Sequence, residues 1–525
     1  MADRSFNLAD LFEIVADTVP DRVALVAGDR RLTYAELDAR ANRVANLLRA
    51  RGVQPGDWVG VHAYNRAEWI ECFLGAFKAR AVPINVNYRY VADELRYLFD
   101  NADLVAIIYE ADFGPRIEQV AAALPKLQTF VRIDDVTGTT DGLGADDYET
   151  ALATASDGRD DAPRSADDLY VLYTGGTTGM PKGVMWRAED IFFAALGGGN
   201  YGGPPITSPQ EIGEKIGEQQ TTSMAFAPLM HGNAQWTAMV TLFGGNKLVL
   251  NCQRKMDADA LWDLCDAEGI NSLSIVGDAM ARPLVDALAN RPAPATVFAI
   301  VSGGAILSPA IKAEFNERIP NAFILDSFGA SETGANGSVD VTDKGPKFRM
   351  NEWTTVIGDD FEVVDIGETG MLARRGHVPL GYYKDESKTA ATFVTAGDGT
   401  RWAIPGDKAI READGTITVL GRGSQCINSG GEKIFPEEVE AALKSHPAVF
   451  DATVVGRKDE RWGEHVCAVV QFRAGESAEL DALATHCRDH IAGYKVPRSL
   501  VVVDEMVRSP SGKPDYRWAK DLANN

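Results

Sequence analysis

Ten consecutive residues, Thr174-Gly175-Gly176-Thr177-Thr178-Gly179-Met180-Pro181-Lys182-Gly183, hold four glycines, three threonines and one lysine. Such a segment has little to give a core. It offers backbone N–H groups, hydroxyls and one cation, which suit a polyphosphate, and glycine lets the main chain turn successive N–H groups toward an anion. The preceding residues, Asp168 to Tyr173, read as a buried strand, so the loop falls at a strand end, where ligands bind in α/β proteins. Pro181 stands where the common Gly-Lys-Ser/Thr phosphate loop needs glycine, which excludes that motif. Asp326-Ser327-Phe328-Gly329-Ala330-Ser331-Glu332-Thr333-Gly334 follows a strand expected over 322–325. A turn there offers an aromatic face, backbone groups and a carboxylate to a nucleotide. Ser302-Gly303-Gly304-Ala305 also follows a strand-like run, and its glycines let a flat group lie on the backbone. Asp407, after the tight turn Ile404-Pro405-Gly406, could accept hydrogen bonds from both hydroxyls of a ribose.

The elements that must position these residues alternate. Thr33-Tyr34-Ala35-Glu36 is a capping box, Leu37, Ala41, Val44 and Leu48 follow at helical spacing, and Gly52 closes the helix. Strands over 58–62, 81–86 and 104–109 alternate with helices over 66–78 and 94–99. This predicts doubly wound α/β layers. Residues 134–168, rich in Asp, Gly, Thr and Ala, read as a loose connection. A second α/β cycle spans about 190–330, interrupted by a glycine-rich loop at 197–205, and a short-stranded β-subdomain covers about 355–420. The last hundred residues read as a compact α+β unit, with a helix starting at Pro436. The expected fold is α/β: a large N-terminal domain of two doubly wound subdomains plus a small β-subdomain over 1–422, a hinge at 423–429, and a small mobile α+β domain over 430–525.

A chain of 525 residues exceeds one ordinary core. Its 45% apolar content fits a globular protein, and its net charge of −23 argues against a general nucleic-acid binder. The six cysteines form no Cys-x-x-Cys pair, so neither zinc nor a disulfide framework is signalled, and reduced thiols in a cytoplasmic enzyme are the simplest account. No apolar run reaches membrane-spanning length. Peripheral membrane contact and homodimerisation stay open.

The 174–183 loop resembles the phosphate signature of the adenylate-forming superfamily of acyl-CoA synthetases, peptide-synthetase adenylation domains and luciferases. The resemblance continues in order along nearly the whole chain. It implies that Thr174, Gly175, Gly176, Thr177, Thr178, Gly179 and Lys182 hold ATP phosphates, with Thr178 also catalytic. The 326–334 stretch resembles the aromatic-Gly-x-Thr-Glu motif, with Ser331 in place of threonine. By that resemblance Ser327, Phe328 and Gly329 bind the nucleotide, Phe328 stacks on adenine, Ser331 touches the α-phosphate and Glu332 helps hold magnesium, which takes hard oxygen ligands. Gly303 and Gly304 meet adenine, and Gly304 and Gly329 also meet the acyl group. Asp407 takes the ribose role, with Pro405 where the family has threonine, and Arg422 reaches ribose or phosphate. Arg508-Ser509-Pro510-Ser511-Gly512-Lys513 resembles the motif that delivers the adenylation lysine. A cation is needed because the attacking carboxylate and the phosphate are both anions. Opposite charges 4 Å apart attract by about 4 kcal/mol at an effective dielectric of 20.

Ser429-Gly430-Gly431-Glu432-Lys433 matches the glycine loop that faces the site during thioester formation, so Ser429, Gly430 and Gly431 are implied to pass the pantetheine arm. Gln425 replaces the acidic hinge residue of many members. His231 resembles a histidine gating the acyl tunnel, although Gly232 follows it directly; a core histidine is the competing reading. Trp462, Lys495 and Arg498 are candidates to face coenzyme A, against surface packing. The resemblance implies an ATP-dependent acid–CoA ligase using ATP, Mg2+ and coenzyme A. Met224–Phe243 contains no Asp, Glu, Lys or Arg, which favours an apolar acid over an amino acid, whose ammonium would want a buried acidic partner. Trp186-Arg187-Ala188-Glu189-Asp190 and the 197–205 loop are similar to CoA ligases acting on fatty or steroid side-chain acids. The alternatives are an adenylating enzyme that loads a carrier protein, a luciferase-like oxygenase and a non-catalytic nucleotide-binding regulator.

Overall fold

The computed structural model describes residues 4–135, 137–174, 181–305, 307–342, 345–349, 352–422, 425, 427–429, 432–459, 463–491, 493–509 and 512–524. The chain forms two compact units. The first takes Met1–Ser274, Pro294–Ala299 and His377–Phe393, and the second takes Ile275–Ala293, Ile300–Gly376 and Val394–Asn525. The fold is α/β with a large N-terminal region and a small C-terminal one, as the alternating pattern predicts.

In the first unit, strands Val82–Asn85, Trp58–His62, Ala106–Glu110, Thr129–Ile133 and Asp146–Asp147 lie side by side, all parallel. A parallel sheet is covered on both faces, so its strands read as continuous apolar runs, and Ala106–Glu110 is buried at every position. A second set of strands, Val23–Ala27, Lys247–Leu250, Thr222–Ala225 and Ser272–Ile275, is also parallel, with the hairpin strand Arg30–Thr33 at its edge. Helix Tyr34–Ala50 starts at the expected capping box: Thr33 accepts from the Glu36 N–H while Glu36 accepts from the Thr33 N–H. Helix Ala67–Lys78 is buried along its whole length. Even Lys78 is inside, where Glu13 and Asp38 meet its ammonium at 2.6 and 2.7 Å.

The second unit contains an antiparallel run built on Phe323–Ala330, Gly334–Thr342, Gly345–Arg349, Thr416–Arg422 and Asp407–Arg411. Its C-terminal part is a five-stranded sheet with helices on both sides. Alternation along its strands divides two cores. Val454, Val466 and Ala468 face Leu443 and Leu483, while Val455, Cys467 and Val469 face helix Tyr516–Asn524. Successive side chains of a strand point to opposite faces, so one strand pair serves both helical layers.

Two local expectations are corrected. Residues 134–168 are not a bare connection: they carry helix Tyr148–Thr154, held by wholly buried Tyr148, whose hydroxyl donates to Glu71 at 2.8 Å. Residues 326–330 are not a turn. The strand runs on to Ala330 because it pairs with Gly334–Thr342, leaving only 331–333 to turn. The antiparallel run accordingly begins near 323, ahead of the short strands expected from about 355.

Candidate active site

Within the first unit, strands Leu169–Thr174 and Lys182–Arg187 form an antiparallel hairpin whose last register pair is Thr174 opposite Lys182. The expected phosphate residues Gly175, Gly176, Thr177, Thr178 and Gly179 lie outside the described residues; the expected residues on either side of them, Thr174 and Lys182, form this pair. Asn85 anchors the base. Its carboxamide oxygen accepts from the Tyr173 N–H at 2.9 Å, and its amide donates to the carbonyls of Tyr173 at 2.9 Å and Met230 at 2.7 Å. One buried amide thus ties the strand below Thr174 to the turn that carries His231. His231 caps helix Gly232–Phe243, and its carbonyl accepts from the Gln235 N–H at 3.2 Å. Lys182 is not left to solvent: its ammonium pairs with Asp385 and lies 5.9 Å from the Tyr382 ring centroid.

Within the second unit, Ser302 gathers the nucleotide motifs. Its carbonyl accepts from the Ser327 hydroxyl at 2.9 Å, and its own hydroxyl accepts from the Gly277 N–H at 3.0 Å. Gly303 ends strand Ala299–Gly303. Gly304 follows with φ +91°, and a Cβ there would meet Val276 at 3.9 Å. At Gly329 a Cβ would come within 2.5 Å of the Gly334 carbonyl oxygen, so only glycine fits. Phe328 stacks one ring face on buried Phe348, with centroids 5.1 Å apart at 18°. Ser331 and Glu332 occupy the turn that follows. Asp407 begins strand Asp407–Arg411, opposite Arg422, whose side chain lies outside the described residues.

The same unit carries Lys513. Gly512, at φ +76°, packs so closely that a Cβ would sit 3.2 Å from Val276, the neighbour it shares with Gly304. The turn is closed by the Ser509 N–H on the Lys513 carbonyl at 2.8 Å and by the Lys513 N–H on the Ser509 hydroxyl at 3.1 Å. The expected coenzyme A residues Gly430, Gly431 and Trp462 lie outside the described residues. Ser429 is buried in strand Ile427–Ser429. Lys495 is bound to Glu438 at 2.5 Å, while Arg498 is exposed and its backbone N–H reaches the Val466 carbonyl at 2.8 Å.

The sequence matches the AMP-binding enzyme family over residues 12–383 and the AMP-binding enzyme C-terminal domain over 438–513. The chain belongs to this family. It is 48% identical over 98% of its length, and 96% of the relative's, to a 3-oxocholest-4-en-26-oate–CoA ligase of Rhodococcus rhodochrous. It is 46% identical over 99% of its length, and 96% of the relative's, to a medium/long-chain-fatty-acid–CoA/3-oxocholest-4-en-26-oate–CoA ligase of Mycolicibacterium smegmatis. Among solved structures, its fold is similar to that of an anthranilate CoA ligase in complex with anthranoyl-AMP, with TM-score 0.84, 24% identity and 98% of both chains covered. ATP-bound MatB from Rhodopseudomonas palustris gives TM-score 0.81 at 24% identity, again over 98% of both chains. The protein is an AMP-forming acid–CoA ligase that uses ATP and coenzyme A.

For this family member, three features escape a reading of the motifs. Arg374 is buried behind the Glu332 turn, where it donates to the Ala335 carbonyl at 2.7 Å and the Asn336 side chain at 3.2 Å; Asn336 in turn donates to the Thr333 hydroxyl at 3.0 Å. Burial lowers the Arg374 guanidinium to about 10. Asp326 accepts from the Leu307 N–H at 3.2 Å, and burial, with the charge of Asp278 adding to it, pushes its carboxyl up to about 7. Glu437 packs onto Gly421, and burial followed by the charges of Glu440 and Asp407 raises it to about 8. Asp326 and Glu437 stand in or beside stretches that the sequence singles out, but the burial of all three groups has no linear signal.

The donor set also bears on magnesium. Among the described residues no three His, Cys, Asp or Glu side chains converge on a point. A single carboxylate on a partly exposed turn, Glu332, fits a cation held mainly by substrate phosphates and water, which is how magnesium binds.

Proposed function

We propose that the acid is a fatty or steroid side-chain carboxylate. The observation that carries this reading is segment Met224–Phe243, which has no ionisable carboxylate, ammonium or guanidinium and spends its polar groups internally. Tyr170 donates to the Gln235 carboxamide oxygen at 2.7 Å, Gln235 donates to the Leu229 carbonyl at 2.9 Å, and Trp236 donates to the Tyr170 hydroxyl at 3.1 Å. Thr237 bonds Ser274 at 3.0 Å, and Ser274 bonds Asn233 at 3.0 Å. Met224, Phe226, Leu229, Met230 and Met239 are buried around them. An acyl site bordered by this segment would reward apolar surface at about 25 cal/mol per Å² and would offer no anion to an ammonium. The names of the relatives at 46–48% identity support the same substrate class.

In this reading Thr174, Lys182 and the loop between them hold the ATP phosphates, and Glu332 is the protein's ligand to magnesium, which neutralises phosphate charge when bound. Phe328 offers its remaining ring face to adenine, and Asp407 accepts from the ribose hydroxyls. Lys513 brings its cation to the carboxylate and the α-phosphate as their bond forms and pyrophosphate leaves. Stabilising that charge more in the transition state than before it, by about 3 kcal/mol, accelerates the step roughly a hundredfold. The coenzyme A thiol then attacks the acyl carbon and AMP departs. For this second step the region beyond the 423–429 hinge turns so that Lys513 withdraws and the Gly430–Gly431 face enters.

A pyrophosphate-release screen with acetate, benzoate, C8–C16 fatty acids and a sterol side-chain acid tests the substrate. The expected result is kcat/KM at least tenfold higher for the fatty or sterol acids. Preference for benzoate, acetate or an amino acid overturns the reading.

A further inference from the structure

Lys444 ends helix Pro436–Lys444 and stands between two carboxylates. Its ammonium is 3.7 Å from Asp278 and 3.7 Å from Asp451, and the three side chains are only 11%, 8% and 9% exposed. Asp451 leads onward. The Arg508 guanidinium pairs with it through two nitrogens, Nε donating at 2.7 Å, and Arg508 also donates to the Gly512 carbonyl at 3.1 Å. Asp278 leads the other way. It accepts from the Ser308 N–H at 2.7 Å, and its charge reaches Asp326 in the strand that carries Phe328. One chain of charges therefore joins the Lys513 turn to the Ser302–Phe328 motifs: Gly512, Arg508, Asp451, Lys444, Asp278.

The links of this chain differ in kind. Arg508–Asp451 and Lys444–Asp451 lie within 436–513 and keep together wherever that segment goes. Lys444–Asp278 joins that segment to 275–293, as does the Gly512–Val276 contact. An ammonium buried between two carboxylates is costly to leave with one of them gone, because the remaining ions are then poorly compensated. The bond thus favours the arrangement in which the Lys513 turn lies on Val276.

We infer that Lys444 is a positioning residue for the first half-reaction: its bond to Asp278 holds the Lys513 turn against Val276 while the acyl-adenylate forms, and breaks before thioester formation. This rests on the reading of Lys513 given above. Lys444 touches no substrate; it acts through the turn.

The two half-reactions are measured separately on the full-length enzyme: pyrophosphate release from ATP and a fatty acid, and coenzyme A consumption with a supplied acyl-AMP. Lys444→Met is expected to slow the first at least tenfold and leave the second within twofold. Lys444→Arg, which keeps the cation, is expected to restore the first to within threefold. Asp278→Asn, which keeps an acceptor for Ser308, should match Lys444→Met, and the double variant should be no slower than either alone. If Lys444→Met fails to fold, Asp278→Asn carries the test. Equal loss in both half-reactions, or an additive double variant, overturns the inference. Lys513→Ala run beside them separates the two ideas: normal first-step activity in that variant sinks the role of Lys513 itself, whereas its loss with normal activity in Lys444→Met sinks only the bridge.

Discussion

Lys182 and Asp385 form an ion pair across 203 residues of sequence. The lysine expected to meet ATP phosphates is thus already held by an anion, at the end of a hairpin that fixes its backbone. Lys182→Met is expected to raise the KM for ATP about tenfold, the equivalent of losing about 1.4 kcal/mol. Asp385→Asn removes a competitor for the cation, so its KM for ATP should be unchanged or lower. The pair is about a third exposed on the lysine side, at 36%, so its stability contribution is under about 1 kcal/mol. Steady-state kinetics with varied ATP checks both variants; an Asp385→Asn enzyme with strongly raised KM would show that the carboxylate itself serves ATP.

Gly512 gives a second handle on the first half-reaction. It has φ +76° and its missing Cβ faces Val276. Gly512→Val adds left-handed strain of about 1–2 kcal/mol and a clash with Val276. Acyl-adenylate formation should fall about tenfold or more, as it should in Lys513→Ala, while thioester formation from supplied acyl-AMP continues. Val276→Ala added to Gly512→Val should recover part of the loss by opening space. No recovery would place the whole effect in the backbone.

Asp326 predicts a pH dependence of stability. Its folded carboxyl is raised to about 7, above the ordinary value of about 3.9. Between those limits the folded form binds more protons than the unfolded, so its stability falls as pH rises through that window and levels off above about 7. Asp326→Asn keeps an acceptor for the Leu307 N–H and has no proton to lose. Its midpoint of thermal unfolding should exceed that of the parent at pH 7.5, with the difference closing toward pH 4. A constant difference across that range would mean that Asp326 does not titrate there.

Asn85→Ala leaves the Tyr173 N–H and two carbonyls without a partner in the interior. Each buried unsatisfied group costs about 1–3 kcal/mol. A loss of about 3 kcal/mol corresponds to roughly 6–12 °C in the unfolding midpoint of a 150–250-residue domain, measurable by calorimetry. A change under about 2 °C would show that water replaces the amide.

How far the sequence speaks depends on range. The Thr33–Glu36 capping box was legible because its partners are three residues apart and the pattern is confined to one turn. The strand before the phosphate loop was legible from five apolar or aromatic residues in a row. By contrast, Asn85 reaches 88 residues to Tyr173 and 145 to Met230, and no local pattern marks it. Arg374 and Asp278 look like ordinary surface charges in the sequence; only their tertiary neighbours bury them. The extension of strand Phe323–Ala330 through Phe328 was missed for a related reason: Ser, Gly and Ala have low strand propensity, and pairing with Gly334–Thr342 overrode it.

The interleaving of the two units constrains how the enzyme is made. The first unit is not complete at Ser274, because it also needs Pro294–Ala299 and His377–Phe393. Gly381–Tyr382 is the third strand on the hairpin of Leu169–Thr174 and Lys182–Arg187, and Asp385 follows it. A nascent chain halted at residue 376 would therefore leave that hairpin with an open edge, and the ribosome must deliver nearly four hundred residues before the first unit can close.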